Sequence, residues 1–234
     1  TGVMVGPYTY HQYAGSGLSR LLYHGFPPHP YVAFGDLLSM SLDQFRTPVS
    51  QFLLLYWSNL DTIAHLHGAG STAYALELSL LASVLREQIL PALDEESALL
   101  LIADHGHIDG DDGEAVNLMH VPGLTKLFRV PPAGEGRASH MFIRPGYERR
   151  ACTLLENIGH LHVLPKEEFL ASGLLGNTPL HPKLRERIGD LIVFPDGSRR
   201  LLYDYQPRLH AAMAGRHGGL SPEEMLVPLM LWTR

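Results

Sequence analysis

Apolar, β-branched or aromatic runs recur along the chain: QFLLLYW (51–57), SALLLIA (97–103), HMFIRP (140–145), DLIVFP (190–195), RLLYDY (200–205) and MLVPLMLW (225–232). The first two lack clean alternation, which suits central strands buried on both faces of a parallel sheet. Between them, in STAYALELSLLASVLREQIL (71–90), Tyr74, Leu78, Leu81, Leu85 and Ile89 fall on one helical stripe, and Ser71 is placed to cap the start. Strand, long helix, strand reads as a βαβ unit with a right-handed crossover. A second helix is predicted over SGLSRLLYHG (16–25), stopped by Gly25, and shorter ones over PKEEFLASGLL (165–175) and HPKLRERIG (181–189). Asp196–Gly197 between two apolar runs predicts a hairpin or tight reversal. Proline and glycine cluster at 25–30, 131–136 and 176–182, and these read as loops within one domain spanning 1–234. The expected fold is α/β: a mostly parallel central sheet flanked by helices.

Composition narrows the partners. The 234 residues are 45% hydrophobic and 18% charged, with net charge −6 and the two signs interspersed. Without a basic stripe, nucleic acid is excluded as the expected partner, whereas a small phosphorylated substrate is not. No uninterrupted apolar run approaches the roughly 20 residues that span a bilayer. Cys152 is the only cysteine, so there is no disulfide framework and no thiolate metal cluster. A lone thiol favours the reducing cytoplasm, with a secreted or periplasmic enzyme without disulfides as the alternative. The 14 scattered histidines, by contrast, raise the expectation of a metal site.

The polar residues that end the apolar runs carry the chemistry. Asp61 and His65 follow the first run, Asp104 and His105 the second (ADHGH, 103–107), and His217 lies in GRHGGLSPEEMLVPL (215–229). In open parallel sheets, ligands bind outside the carboxyl ends of strands. Asp and His four apart share a face if the loop enters a helical turn. Adjacent Asp and His converge only where the backbone turns sharply. Oxygen and nitrogen donors without thiolate suit catalytic zinc, or manganese. Each cluster alone also has a plain reading as solvated polar residues. His67 and His107 are expected beside the ligands rather than among them, His140 in a structural role, and Tyr56 and Trp57 in the core. Asp109, Asp111 and Asp112 are candidate acceptors for a ligand's second ring nitrogen.

Asp61-x-x-x-His65-x-x-Gly68, then ADHG, then RHGG resembles the alkaline phosphatase superfamily, and most closely its type I phosphodiesterase/nucleotide pyrophosphatase branch. The likeness runs from about residue 50 to the C-terminus. It implies hydrolysis of phosphate esters with two divalent cations, usually zinc with manganese as the alternative, about 4 Å apart. By the resemblance, Asp61, His65 and His217 hold one cation, and Asp104 and His105 supply part of the other's shell. The family pattern also has an early aspartate after its first strand and a threonine or serine nucleophile at a helix N-terminus. Thr9, Ser16 and Ser19 are the hydroxyls at hand, but SGLSRLL reads as an ordinary capped helix. The resemblance therefore implies the C-terminal part of a longer enzyme, its sheet incomplete on the N-terminal side and its nucleophile upstream of Thr1. The chain alone is then expected to be inactive. The implied substrate is a small phosphorylated molecule, a nucleotide among the candidates. Two alternatives stay open: a phosphomutase of the same superfamily, and a non-catalytic binding or regulatory domain.

Overall fold

The structure, a computed structural model, describes residues 2–110, 115–203 and 213–233. Along the chain run β1 (Met4–Tyr10), α1 (Gly17–Leu22), β2 (His29–Tyr31), α2 (Phe34–Phe45), β3 (Gln51–Leu55), α3 (Asn59–His67) and α4 (Thr72–Val84). A π-helical turn (Leu85–Ile89) prolongs α4 into α5 (Leu90–Ala92). Next come β4 (Ala98–Ile102), β5 (Ile108–Asp109), β6 (Ala115–Asn117), β7 (Ala133–Glu135) and β8 (Ala138–Met141). The last elements are α6 (Glu148–Glu156), β9 (Leu161–Pro165), α7 (Lys166–Ala171), α8 (Leu184–Arg187), β10 (Leu191–Pro195), β11 (Arg200–Leu202), β12 (Gly215–Arg216), α9 (Pro222–Met225) and β13 (Leu229–Thr233). The chain is α/β and forms two compact units. One comprises Thr1–Ile63, Ser71–Ile102 and Leu229–Arg234, and the other Ala64–Gly70 and Ala103–Pro228.

In the first unit, β1 is central to a parallel sheet of order β2-β1-β3, with Tyr8 opposite both His29 and Leu55. Its core joins Tyr8, Tyr31 and Leu37 to Phe34, Leu53 and Trp57. Trp57 packs on Phe34 with ring centroids 4.5 Å apart, as expected of a core residue, whereas Tyr56 is exposed. The Tyr31 hydroxyl donates to the Tyr56 carbonyl at 2.7 Å, and burial, with other tyrosines nearby, pushes its pKa far up. Ser16 and Ser71 cap their helices, each accepting from the backbone N–H three residues on (Ser19 and Tyr74) at 3.1 Å.

The predicted βαβ unit is not a pair of neighbouring strands. β3 pairs with β1, and β4 pairs antiparallel with β13, Ile102 opposite Leu229. Nor are β3 and β4 buried on both faces, since Phe52, Leu54, Leu100 and Ile102 are exposed. Apolar composition records a capacity for burial; strand order is decided by partners distant in sequence. The partner that decided it, MVGPYTY of β1, has only a short and mixed apolar pattern.

In the second unit, an antiparallel sheet runs β7-β8-β10-β9, with Ile192 of β10 opposite His140 and Leu164. β10 is buried at all five of its residues. Its Leu191 and Val193 join Leu118, Met141, Ile143 and Leu155 in the main core. His140 keeps to the structural role expected: Nδ1 accepts from Gly189 N–H at 3.3 Å, and burial lowers its pKa. The chain reverses at Asp196–Gly197, but β11 then pairs in parallel with β6 rather than returning along β10. The end of the RLLYDY run lies outside the described residues. Among those described, no helix is long and apolar enough to cross a membrane.

Leu155 on α6 has no exposed surface. Leu155→Ala is expected to cost about 2–5 kcal/mol through lost burial and a residual cavity. The measurement is urea unfolding, with a lower midpoint and an unchanged slope.

Candidate metal centre

His65 occupies the last turn of α3, and the turn that follows is anchored by Asp109. The Asp109 carboxylate accepts from Ala69 N–H at 2.5 Å and from Gly70 N–H at 2.9 Å. Asp109 therefore holds the loop backbone; Asp111 and Asp112 lie outside the described residues. The acceptor for the His65 ring is a main-chain carbonyl: Nδ1 lies 2.9 Å from Gly215 O. A carbonyl only accepts, so Nδ1 carries the proton and Nε2 carries the lone pair. The contact requires very close backbone approach, and Ala214 N–H also donates to His65 O at 2.8 Å. A Cβ at Gly215 would overlap Ala64 O.

The other imidazoles arrive on two facing segments. β5 and β12 pair Asp109 with Gly215 and Ile108 with Arg216, so the chain before β5 lies beside the chain after β12. His105 Nδ1 sits 3.0 Å from Gly106 O, which again leaves the lone pair on Nε2. Gly106 N–H donates to Glu224 O at 2.8 Å, and a Cβ at Gly106 would overlap Glu223 O. The rings of His105 and His217 stack, with centroids 3.7 Å apart and planes 14° from parallel. His65 lies 5.0 Å from His217 and 5.1 Å from His107, while His107 lies 5.2 Å from both His105 and His217. Half-buried His105, His107 and His217 each offer a nitrogen, all within 4.8 Å of one another.

Of the residues singled out by sequence, the structure thus brings His65, His105 and His217 together. Asp61, half-buried, stands one turn before His65 on α3. Asp104 is not drawn into the group: its side chain is 74% exposed, with Oδ1 3.1 Å from His105 N and 3.6 Å from His105 Nε2. His67 is exposed. His107, expected to stand beside the ligands, places its ring with theirs. Its signal was the spacing, because residues two apart on extended chain share a face. The donor set of imidazoles without thiolate fits zinc well.

A buried ion pair, not apparent from the sequence, braces the cluster. The Arg137 and Glu224 side chains are 2% and 1% exposed. Arg137 Nε and Nη2 donate to the Glu224 carboxylate at 3.0 and 2.6 Å, and Nη1 donates to the carbonyls of Pro195 and Arg199 at 3.3 and 2.5 Å. Glu224 also accepts from Gly219 N–H at 2.8 Å and Ser221 N–H at 3.4 Å. Burial alone would raise the Glu224 pKa. The hydrogen bonds from Arg137, Gly219 and Ser221, with the Arg137 charge, outweigh it and hold the carboxyl below its usual range.

The profile of the type I phosphodiesterase / nucleotide pyrophosphatase family matches residues 31–220. No curated protein matches the chain. Murine ectonucleotide pyrophosphatase/phosphodiesterase 5 superposes with a TM-score of 0.71 at 17% identity, over 99% of this chain and 60% of its own. An inactive form of that protein, in complex with AMP, gives 0.68 at 18%, over 97% and 59%. Phosphonoacetate hydrolase from Sinorhizobium meliloti 1021, in complex with phosphonoacetate, gives 0.66 at 16%, over 98% and 65%. At such identities the likeness shows the fold, and this chain spans less than two thirds of each structure.

A depressed carboxyl pKa contributes stability that is complete above the unfolded value, here near 4.5, and is lost as pH falls through the folded value. Acid titration of the urea midpoint from about pH 5 to pH 3 is expected to show a decline that the double replacement Arg137→Met with Glu224→Met, which removes the carboxyl without stranding the guanidinium, flattens.

Proposed function

This chain belongs to the type I phosphodiesterase / nucleotide pyrophosphatase family, and on that premise we propose that it is the C-terminal, metal-holding part of an alkaline phosphatase-like catalytic domain that hydrolyses phosphate esters. Asp61, His65 and His217 are the ligands of one divalent cation; Asp104 and His105 belong to the shell of a second. His107 is an added nitrogen donor at the same place. The observation that carries this reading is the convergence of the His105, His107 and His217 nitrogens within 4.8 Å. Zinc is the cation best matched to these donors, with manganese the alternative.

A bound cation supplies Lewis-acid neutralisation of phosphate oxygens. The chain's own part is to fix the donors. Carbonyls of Gly215 and Gly106 hold His65 and His105 with Nε2 as the lone-pair nitrogen. The half-buried setting strengthens their interaction with charge. The attacking hydroxyl comes from outside residues 1–234. What supports this is the fate of the hydroxyls at hand: Thr9 is buried, and Ser16 and Ser19 bond one another in the cap of α1. Further support comes from the first unit, where β3, β4 and the apolar helix α4 leave large hydrophobic side chains exposed. Large apolar areas of this kind ordinarily mark surfaces covered in the working protein. The substrate is a small phosphorylated molecule, and AMP bound to an inactive relative supports a nucleotide.

Elemental analysis after dialysis against zinc is expected to find about one ion per chain, lost on His65→Ala. A protein that stays metal-free overturns the reading. The chain alone is expected to hydrolyse p-nitrophenyl phosphoesters poorly or not at all; robust turnover would place the nucleophile within residues 1–234.

A further inference from the structure

Glu224 touches both histidine-bearing segments of the second unit, and it does so through different atoms. Its carboxylate accepts from Gly219 N–H and Ser221 N–H, two and four residues beyond His217. Its main-chain oxygen accepts from Gly106 N–H, between His105 and His107. Arg137, from the turn joining β7 and β8, holds that carboxylate with two donors and spends its remaining Nη1 on the Pro195 and Arg199 carbonyls. The guanidinium is thus tied on one side to the sheet and on the other to the loop that presents His217.

We propose that Arg137 and Glu224 are the positioning pair of the histidine cluster: together they set the His217 ring against those of His105 and His107, and so set the cluster's affinity for a divalent cation. The metal consequence rests on the function proposed above; the ring placement does not. Neither residue touches the cation, and both act through the backbone of the segments they brace. Removing one partner would strand a buried charge and unfold the unit, so the informative variants are the double replacement Arg137→Met with Glu224→Met, and Arg137→Lys. The lysine keeps the charge and loses the planar fork.

Two readouts separate the claims. In the metal-free protein, ring nitrogen and carbon NMR signals of His105 and His217 are expected to shift in both variants, while those of exposed His181 stay. In parallel, Co²⁺ titration followed by its visible spectrum should show affinity lowered about tenfold or more, with altered bands. Folded variants whose ring signals do not move, or whose Co²⁺ affinity stays within about twofold of the parent, overturn the proposal. A parent that binds no Co²⁺, with ring signals that still shift in the variants, removes the metal reading and leaves the positioning role. Global unfolding of both variants makes the pair a general fold element and counts against it.

Discussion

A carboxylate buried with nothing to meet its charge costs several kcal/mol and takes up a proton instead. Glu224 stays ionised in the interior because donors from three residues, Arg137, Gly219 and Ser221, converge on it. The requirement is mutual. The loop carrying His217 has amides of Gly219 and Ser221 satisfied by that carboxylate, and the guanidinium of Arg137 finds its counter-charge there. An arrangement in which each member would be stranded by the loss of another tolerates little drift, and it is hydrogen-bonded to the segments that carry His217 and His105. Groups that act by converging need such backing, since donors that wander by an ångström no longer share one centre.

The motifs that drew attention in the sequence turn out to combine two constraints of different kinds. The histidines of ADHGH and GRHGG supply donors, while Gly106 and Gly215 supply the absence of a side chain. At Gly106 a Cβ would overlap Glu223 O, and at Gly215 it would overlap Ala64 O. Each glycine lets two backbones close to hydrogen-bonding distance, and the hydrogen bonds so formed involve the site itself: Gly106 N–H to Glu224 O, and Gly215 O to the His65 ring. A short pattern of this sort is specific because chemistry and packing must both be met within four or five residues.

What the sequence disclosed follows the same division. Local signals were legible: the caps at Ser16 and Ser71 and the reversal at Asp196–Gly197. Signals that depend on distant pairing were not. Two apolar runs, 51–57 and 97–103, read as the strands of a βαβ unit buried in a parallel sheet, yet one pairs with β1 and the other, antiparallel, with β13. A five-residue strand that is fully buried, β10, lies in an antiparallel sheet instead. Arg137 was invisible for a related reason. A single arginine in a polar turn has no pattern to mark it, and its partner lies 87 residues away. His107 was legible in principle, but its neighbour His105 fitted a known pattern and absorbed the attention.

The two units differ in how far each accounts for its own apolar surface. The second closes around Leu118, Met141, Leu155 and Val193, all at most 1% exposed, and its central strand is buried along its whole length. The first leaves Leu100, Ile102, Leu229 and Leu231 each more than half exposed. The histidines at 65, 105, 107 and 217 and the Arg137–Glu224 ion pair belong to the closed unit. Holding a cation and supplying a nucleophile are therefore separable demands on this chain. On the proposed reading the first falls mainly to the histidines, whose segments the Arg137–Glu224 pair touches. On the same reading the second falls to a hydroxyl other than the capped or buried candidates near residues 9–19, so metal binding is expected to be measurable independently of turnover.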